Sequence, residues 1–178
     1  QNQPATKGMG AWTTGSNGTI QNPSTRAFDE GPLEALVGHY EFENGSLYNG
    51  LEVNGQYPGF KGNGYVKFPE TIGNGIFIRS ENLYIPVSGT YAVKIHYSSD
   101  TTRNLRVVSG SFINSFEATN AVGSAVDHVF PATGGHDSWG TQTVNLYFEA
   151  GLAPQLKIVA NTEPGVSLDW LEISLPQP

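Results

Sequence analysis

Ser88-Gly89-Thr90-Tyr91-Ala92-Val93-Lys94-Ile95-His96-Tyr97 is the stretch whose reading decides the fold. Tyr91, Val93, Ile95 and Tyr97 alternate with Ala92, Lys94 and His96. A period of two places the large apolar side chains on one face of a strand and the others on the opposite face. The Ser-Gly pair ahead of it is a turn signal. The same alternation recurs on either side. Val144, Leu146 and Phe148 alternate with Asn145, Tyr147 and Glu149, and Leu156 and Ile158 flank Lys157. Between the runs stand Asn44-Gly45, Asn49-Gly50, Asn54-Gly55, Asn63-Gly64 and Ala150-Gly151, all turn dipeptides. The pattern predicts about ten strands, no long amphipathic helix and no solenoid repeat. It describes an all-β domain, an antiparallel two-sheet sandwich or a barrel.

Composition limits what such a domain does. The 178 residues suit one domain with a sizeable core. Only 14% are charged, against roughly 25% in an average soluble protein, so the polar surface is built from Asn, Ser, Thr, Gly and Gln. The net charge of −7 and pI near 4.9 repel phosphate, which argues against nucleic acid and against anionic membranes. Surplus carboxylates suit a hard cation such as calcium, and equally suit plain solubility. No cysteine is present, so disulfides, zinc–thiolate sites and cysteine nucleophiles are excluded. No apolar run approaches the roughly 20 residues needed to span a bilayer as a helix.

The chain divides unevenly. Residues 1–37 read as a linker or loosely packed N-terminal arm, with Trp12 packing it onto the domain and Pro32–Val37 forming one helical turn. Residues 38–175 carry the strand pattern. Leu175-Pro176-Gln177-Pro178 ends it, with 176–178 opening a C-terminal linker. A start in a polar stretch, without a visible leader, and two linker-like ends are expected of an excised module of a longer secreted protein.

Two motifs carry chemistry. In Tyr40-Glu41-Phe42-Glu43-Asn44-Gly45, the two glutamates fall two apart and share a face if the segment is a strand. Such a pair repels unless neutralised. In Leu168-Asp169-Trp170-Leu171-Glu172-Ile173, the period of two puts Asp169 on the face of Leu171, Ile173 and Leu175, where a buried acid needs a partner. If the last strand lies beside the first, Glu41, Glu43 and Asp169 converge on one cation. Otherwise they are solvated strand-end carboxylates.

These motifs, with Pro58-Gly59-Phe60-Lys61-Gly62-Asn63-Gly64-Tyr65-Val66-Lys67-Phe68 and the Ser88–Tyr97 strand, resemble carbohydrate-binding modules of families 6 and 35, family 35 more closely. The likeness spans about residues 38–175 with every motif in order. It implies an antiparallel two-sheet β-sandwich of jelly-roll type with a structural Ca2+ held by Glu41, Glu43 and Asp169, backbone carbonyls of residues 60–64 completing the shell. It also implies a sugar site in the loops at one end. Trp139, in a Gly-rich stretch read as a loop, matches the stacking aromatic. Tyr57 is the second, with Phe60 and Tyr65 as rivals, and Tyr65 is expected to pack in a strand instead. Pyranose C–H faces stack on electron-rich rings, and sugar hydroxyls need directional partners. Relatives often carry an Asn before the final strand. Here that place holds Ser167, with Asn161 upstream, and His136 and Asp137 flank Trp139.

The remaining polar residues carry less. Trp170 is expected in the core or between the sheets, His39 and His96 on strand surfaces, and Asp127-His128 in a loop. Arg79, Arg103 and Arg106 are candidate partners for a uronate. There is no Gly-x-Ser-x-Gly elbow, no His-Glu-x-x-His helix and no phosphate loop. The expectation is therefore a non-catalytic, calcium-containing, monomeric, extracellular module, attached to the catalytic domain of a polysaccharide-degrading enzyme. Its expected partner is plant cell-wall polysaccharide or oligosaccharide: β-mannan or galactomannan first, then xylan, galactan or uronate-bearing glycans. A hydrolase or lyase domain, or an adhesion module of the same fold, is the alternative.

Overall fold

The computed structural model describes residues 36–78, 83–111, 122–151 and 154–175. Eleven strands lie in these residues: β1 (Leu36–Glu41), β2 (Ser46–Tyr48), β3 (Glu52–Asn54), β4 (Tyr65–Lys67), β5 (Asn74–Ile78), β6 (Gly89–Ser99), β7 (Arg103–Ser111), β8 (Val122–Phe130), β9 (Gly135–Phe148), β10 (Gln155–Ala160) and β11 (Ser167–Ser174). The helical element among the described residues is a three-residue 3-10 turn, Phe42–Asn44.

All pairings are antiparallel. One sheet runs β9-β6-β11-β4-β3, with β1 also pairing β11, and the other runs β2-β5-β10-β7-β8. The result is the expected all-β, two-sheet sandwich. Tyr91, Val93, Ile95 and Tyr97 of β6 are each at most 2% exposed and join Leu105, Val107, Leu156 and Ile158 in one core. Period two held in β6 because the strand is inserted between β9 and β11 with one face on that core.

Two local expectations fail, and one expected turn joins strands of different sheets. Leu36 and Val37 do not continue a helical turn. They open β1, whose backbone pairs with β11 from Leu36 opposite Ser174. Residues 1–35, with Trp12 and Pro32, and residues 176–178 lie outside the described residues. Asn49-Gly50, both with positive φ (56° and 96°), does not close a hairpin. It carries the chain from β2 in one sheet to β3 in the other. Finally, Lys157 does not mark an exposed face of β10. It is 1% exposed in the middle strand of its sheet.

A fourth departure positions the site. Leu168 pairs with Tyr97 and Trp170 with His96, so Asp169 is an extra residue, a β-bulge in β11. The bulge shifts the alternation by one. Leu168, Leu171 and Ile173 enter the core, while the Asp169 carboxylate turns to His96, which alternates with the core residues of β6 and so stands on the sheet's outer face. Asp169 therefore does not share a face with Leu171 and Ile173. Trp170 is buried, as expected, at 4% exposure, but on the His96 side of the sheet rather than between the sheets: its ring stacks on His96 at 4.8 Å and tilts against His39 at 5.4 Å.

Candidate functional site: an acidic cluster and a loop-end groove

Glu41 ends β1, and Glu43 sits in the 3-10 turn. They do not lie along one strand. The tight turn buries Phe42 in the core and folds Glu43 back toward Glu41. Oxygen atoms of Glu41, Glu43 and Asp169 all come within 4.8 Å of one another. Glu41 Oε1 and Glu43 Oε1 are buried without a hydrogen-bond partner.

The surroundings hold these acids in place. Asp169, fully buried, accepts the Lys61 backbone N–H at 3.1 and 3.0 Å and the His96 Nδ1–H at 2.8 Å. Burial pushes its carboxyl above the usual range, against the lowering effect of His96 and Lys61. Glu43 is raised too, first by burial and then by the neighbouring Glu41 charge. His39 bridges the first and last strands. Its Nδ1–H donates to Glu172 Oε2 at 2.9 Å and its Nε2–H donates to Glu41 Oε2. The Glu172 and Glu41 carboxylates push its pKa up to about 9, against the lowering effect of its partial burial.

Gly62, at φ +68°, passes so close that a Cβ there would lie 2.6 Å from Glu43 Oε2 and 2.8 Å from Glu41 Oε1. Only glycine takes both that conformation and that approach without strain. An all-oxygen donor set, two unpartnered buried carboxylate oxygens and a backbone loop drawn against them fit a hard cation.

Trp139 lies within β9, not in a loop. Gly135 pairs with Ser99 and Trp139 with Ser98, so His136, Asp137 and Ser138 are extruded from the ladder as a wide bulge. The Trp139 ring stacks on His96 at 5.3 Å, meets Tyr65 edge-on at 5.2 Å, and donates its indole N–H to Pro58 O at 2.8 Å. Gly59, at φ +104°, leaves only enough room for a hydrogen, since a Cβ would approach Trp139 Cδ1 to 2.6 Å. Trp139 thus pins the 55–64 segment to the sheet. Tyr65 packs in β4 fully buried, as expected, with its hydroxyl on Asn54 Oδ1 at 3.0 Å.

The bulge delivers His136 to the rim of a groove of about 310 Å³ between it and Glu52, Lys67, Pro69 and Glu70. A smaller recess shares His136, Lys67 and Glu70 and reaches Ser98, Asp100 and Ser167. Ser98 and Ser167 are cross-strand neighbours, both buried, and the Ser98 hydroxyl donates to His136 O at 2.8 Å. Tyr57 stacks on the His136 ring at 5.4 Å.

Of the expected ligand residues, the structure brings together His136, Tyr57 and Ser167. Asp137 is exposed beside them. Asn161 follows β10 in the other sheet and is absent from the groove lining. Arg106 is held by a bidentate pair with Asp127 at 2.8 Å. Asp127 and His128 belong to β8 rather than a loop. Arg103 binds Glu70 at 2.8 Å, and Arg79 lies outside the described residues. Sequence reasoning missed Lys67, Glu70, Ser98 and Asp100, which end β4 and β6. Only the pairing of those strands with β11 assembles them.

No family model matches the chain. It is 29% identical over 113 residues to an isomaltosyltransferase of Sporosarcina globispora, covering 64% of this chain and 9% of that enzyme. It is 26% identical over 157 residues to an exo-beta-D-glucosaminidase of Amycolatopsis orientalis, covering 88% of this chain and 13% of that enzyme. The chain therefore spans only about a tenth of the length of these curated relatives. A family 35 carbohydrate-binding module from Clostridium thermocellum superposes with TM-score 0.63 at 22% identity, over 78% of this chain and 98% of that one. The corresponding module from Paenibacillus barcinonensis does so with TM-score 0.64 at 26% identity, over 79% of this chain and all of that one. In fold, and at 26% identity to the Paenibacillus barcinonensis module in sequence, the chain is similar to family 35 carbohydrate-binding modules.

Proposed function

We propose that this chain is a non-catalytic, secreted carbohydrate-binding module that holds an attached polysaccharide-degrading domain on plant cell-wall polysaccharide, β-mannan or galactomannan first and xylan or galactan next. The observation that carries the reading is the loop-end groove lined by His136, Lys67 and Glu70, with Ser98 and Ser167 in its recess and Tyr57 stacked on the His136 ring. Rings offer faces to sugar C–H bonds, and the hydroxyls and paired charges offer donors and acceptors to sugar OH groups. The resemblance to family 35 modules and the two carbohydrate-active relatives support the same class. Tethering raises the effective concentration of substrate at the catalytic domain, while a short groove gives modest affinity.

Glu41, Glu43 and Asp169 would hold a Ca2+ ion. It would neutralise their mutual repulsion and fasten β1 to β11. The cluster is unsuited to glycoside hydrolysis, because its carboxylates are drawn together away from the groove rather than flanking a scissile bond.

Affinity electrophoresis against a polysaccharide panel tests the reading, with Tyr57→Ala and His136→Ala as variants. Retardation by a cell-wall glycan, lost in both variants with the melting temperature kept, is the expected result. Migration unchanged by every glycan would sink the binding reading. Cleavage of a glycan by the purified chain would sink the non-catalytic one.

A further inference from the structure

The charges around the groove carry an inference that rests on the glycan reading and narrows it. Three carboxylates border the groove and its recess: Glu52, Glu70 and Asp100. Each stands beside a basic residue. Glu52 is directly opposite Lys67 in the β3–β4 register. Glu70 takes the Arg103 guanidinium at 2.8 Å, and Asp100 faces His136 Nε2 at 3.5 Å. The Arg103 guanidinium, the group best shaped to take a carboxylate by a two-pronged bond, already holds Glu70 through one nitrogen. Arg106 lies on the other sheet, locked to Asp127. Among the described residues that line the groove and its recess, these three acids outnumber the one permanently charged cation, Lys67.

We infer that this groove selects uncharged sugars and rejects uronates. A neutral pyranoside meets alternating donors and acceptors, and its hydroxyls bond to charged groups already fixed by their partners. A uronate carboxylate in the same place adds a further negative charge to a groove and recess already lined by Glu52, Glu70 and Asp100. To pair with Arg103 it would have to compete with Glu70. Like charges placed face to face weaken binding sharply, and the expected discrimination is about tenfold or more in affinity.

The test uses matched ligands. Whichever neutral polysaccharide retards the chain is compared with the same polymer oxidised at C6, so that its primary hydroxyls become carboxylates. Glucuronoxylan and pectin are run alongside. The neutral polymer is expected to bind at least about tenfold tighter than its oxidised form, with little dependence on salt. Glu70→Gln frees Arg103 and should raise the oxidised-to-neutral affinity ratio several-fold. Asp100→Asn, at an exposed position, should raise it in the same direction, while Arg106→Ala leaves it unchanged. Equal or tighter binding of the uronate forms overturns the inference and leaves the glycan reading standing. Failure of every polymer, neutral and charged, overturns both.

Discussion

Replacing Trp139 with alanine tests whether this ring is a sugar platform or a structural pin. The structure assigns it three attachments: the stack on His96, the edge contact with Tyr65 and the N–H bond to Pro58 O. Aromatic pairs contribute about 0.5–1.5 kcal/mol each, and a hydrogen bond about 1 kcal/mol net. The sum is about 3 kcal/mol. That is the low end of the ~3–5 kcal/mol range for emptying a buried Trp, as befits a half-buried ring. At roughly 2–4 °C per kcal/mol for a domain of this size, the melting temperature should drop by about 6–12 °C. Trp139→Phe, which keeps the stack and loses the N–H bond, should fall by about a third of that. Differential scanning calorimetry measures both. If Trp139→Ala melts within about 2 °C of the parent and yet loses glycan binding, the ring is a platform and the reasoning fails.

Three further outcomes are expected. Calcium at about a hundred times its dissociation constant should add about 2.7 kcal/mol of stability, a rise of about 5–10 °C in melting temperature. Chelator should remove that gain and Asp169→Asn should abolish it. A calcium response surviving in Asp169→Asn would place the ion elsewhere. In chelator, the chain should lose stability as pH rises. Glu43 and Asp169 have folded pKa values raised by burial, so their contribution is complete below about pH 4 and disappears as pH climbs through those raised values. His39, pushed up to about 9, acts in the same direction: its contribution is complete below about pH 6.5 and lost through pH 9. Chelated protein that melts higher at pH 9.5 than at pH 6 would refute this. Gly62→Ala should destabilise the chain by about 1–2 kcal/mol, because it forces a side chain into a positive-φ position and against the Glu41 and Glu43 carboxylates. It should also weaken the calcium response, and a titration indistinguishable from the parent would show that this approach is not needed.

The amino-acid sequence by itself determined the sandwich. The alternation of Tyr91, Val93, Ile95 and Tyr97 is a local property, because burying one face of a strand requires period two wherever the strand ends up. It also marked Glu41, Glu43 and Asp169 as one group, through the expectation that the first and last strands are neighbours, as β1 and β11 are. Tertiary structure decided how these acids meet. A 3-10 turn replaced a strand, and a bulge at Asp169 moved its carboxylate off the apolar face. Neither leaves a mark in periodicity, because each depends on pairing with strands far along the chain, Trp170 standing opposite Glu41 on one side and His96 on the other. The same holds for the ring and the groove. The Gly-rich stretch before Trp139 reads as a free loop, yet Gly135 and Trp139 pair with Ser99 and Ser98. That pairing draws the tryptophan down onto His96 and pushes His136 out to the groove. Lys67, Glu70, Ser98 and Asp100 carry no signal along the chain. They form a surface only because β4, β6 and β11 end side by side.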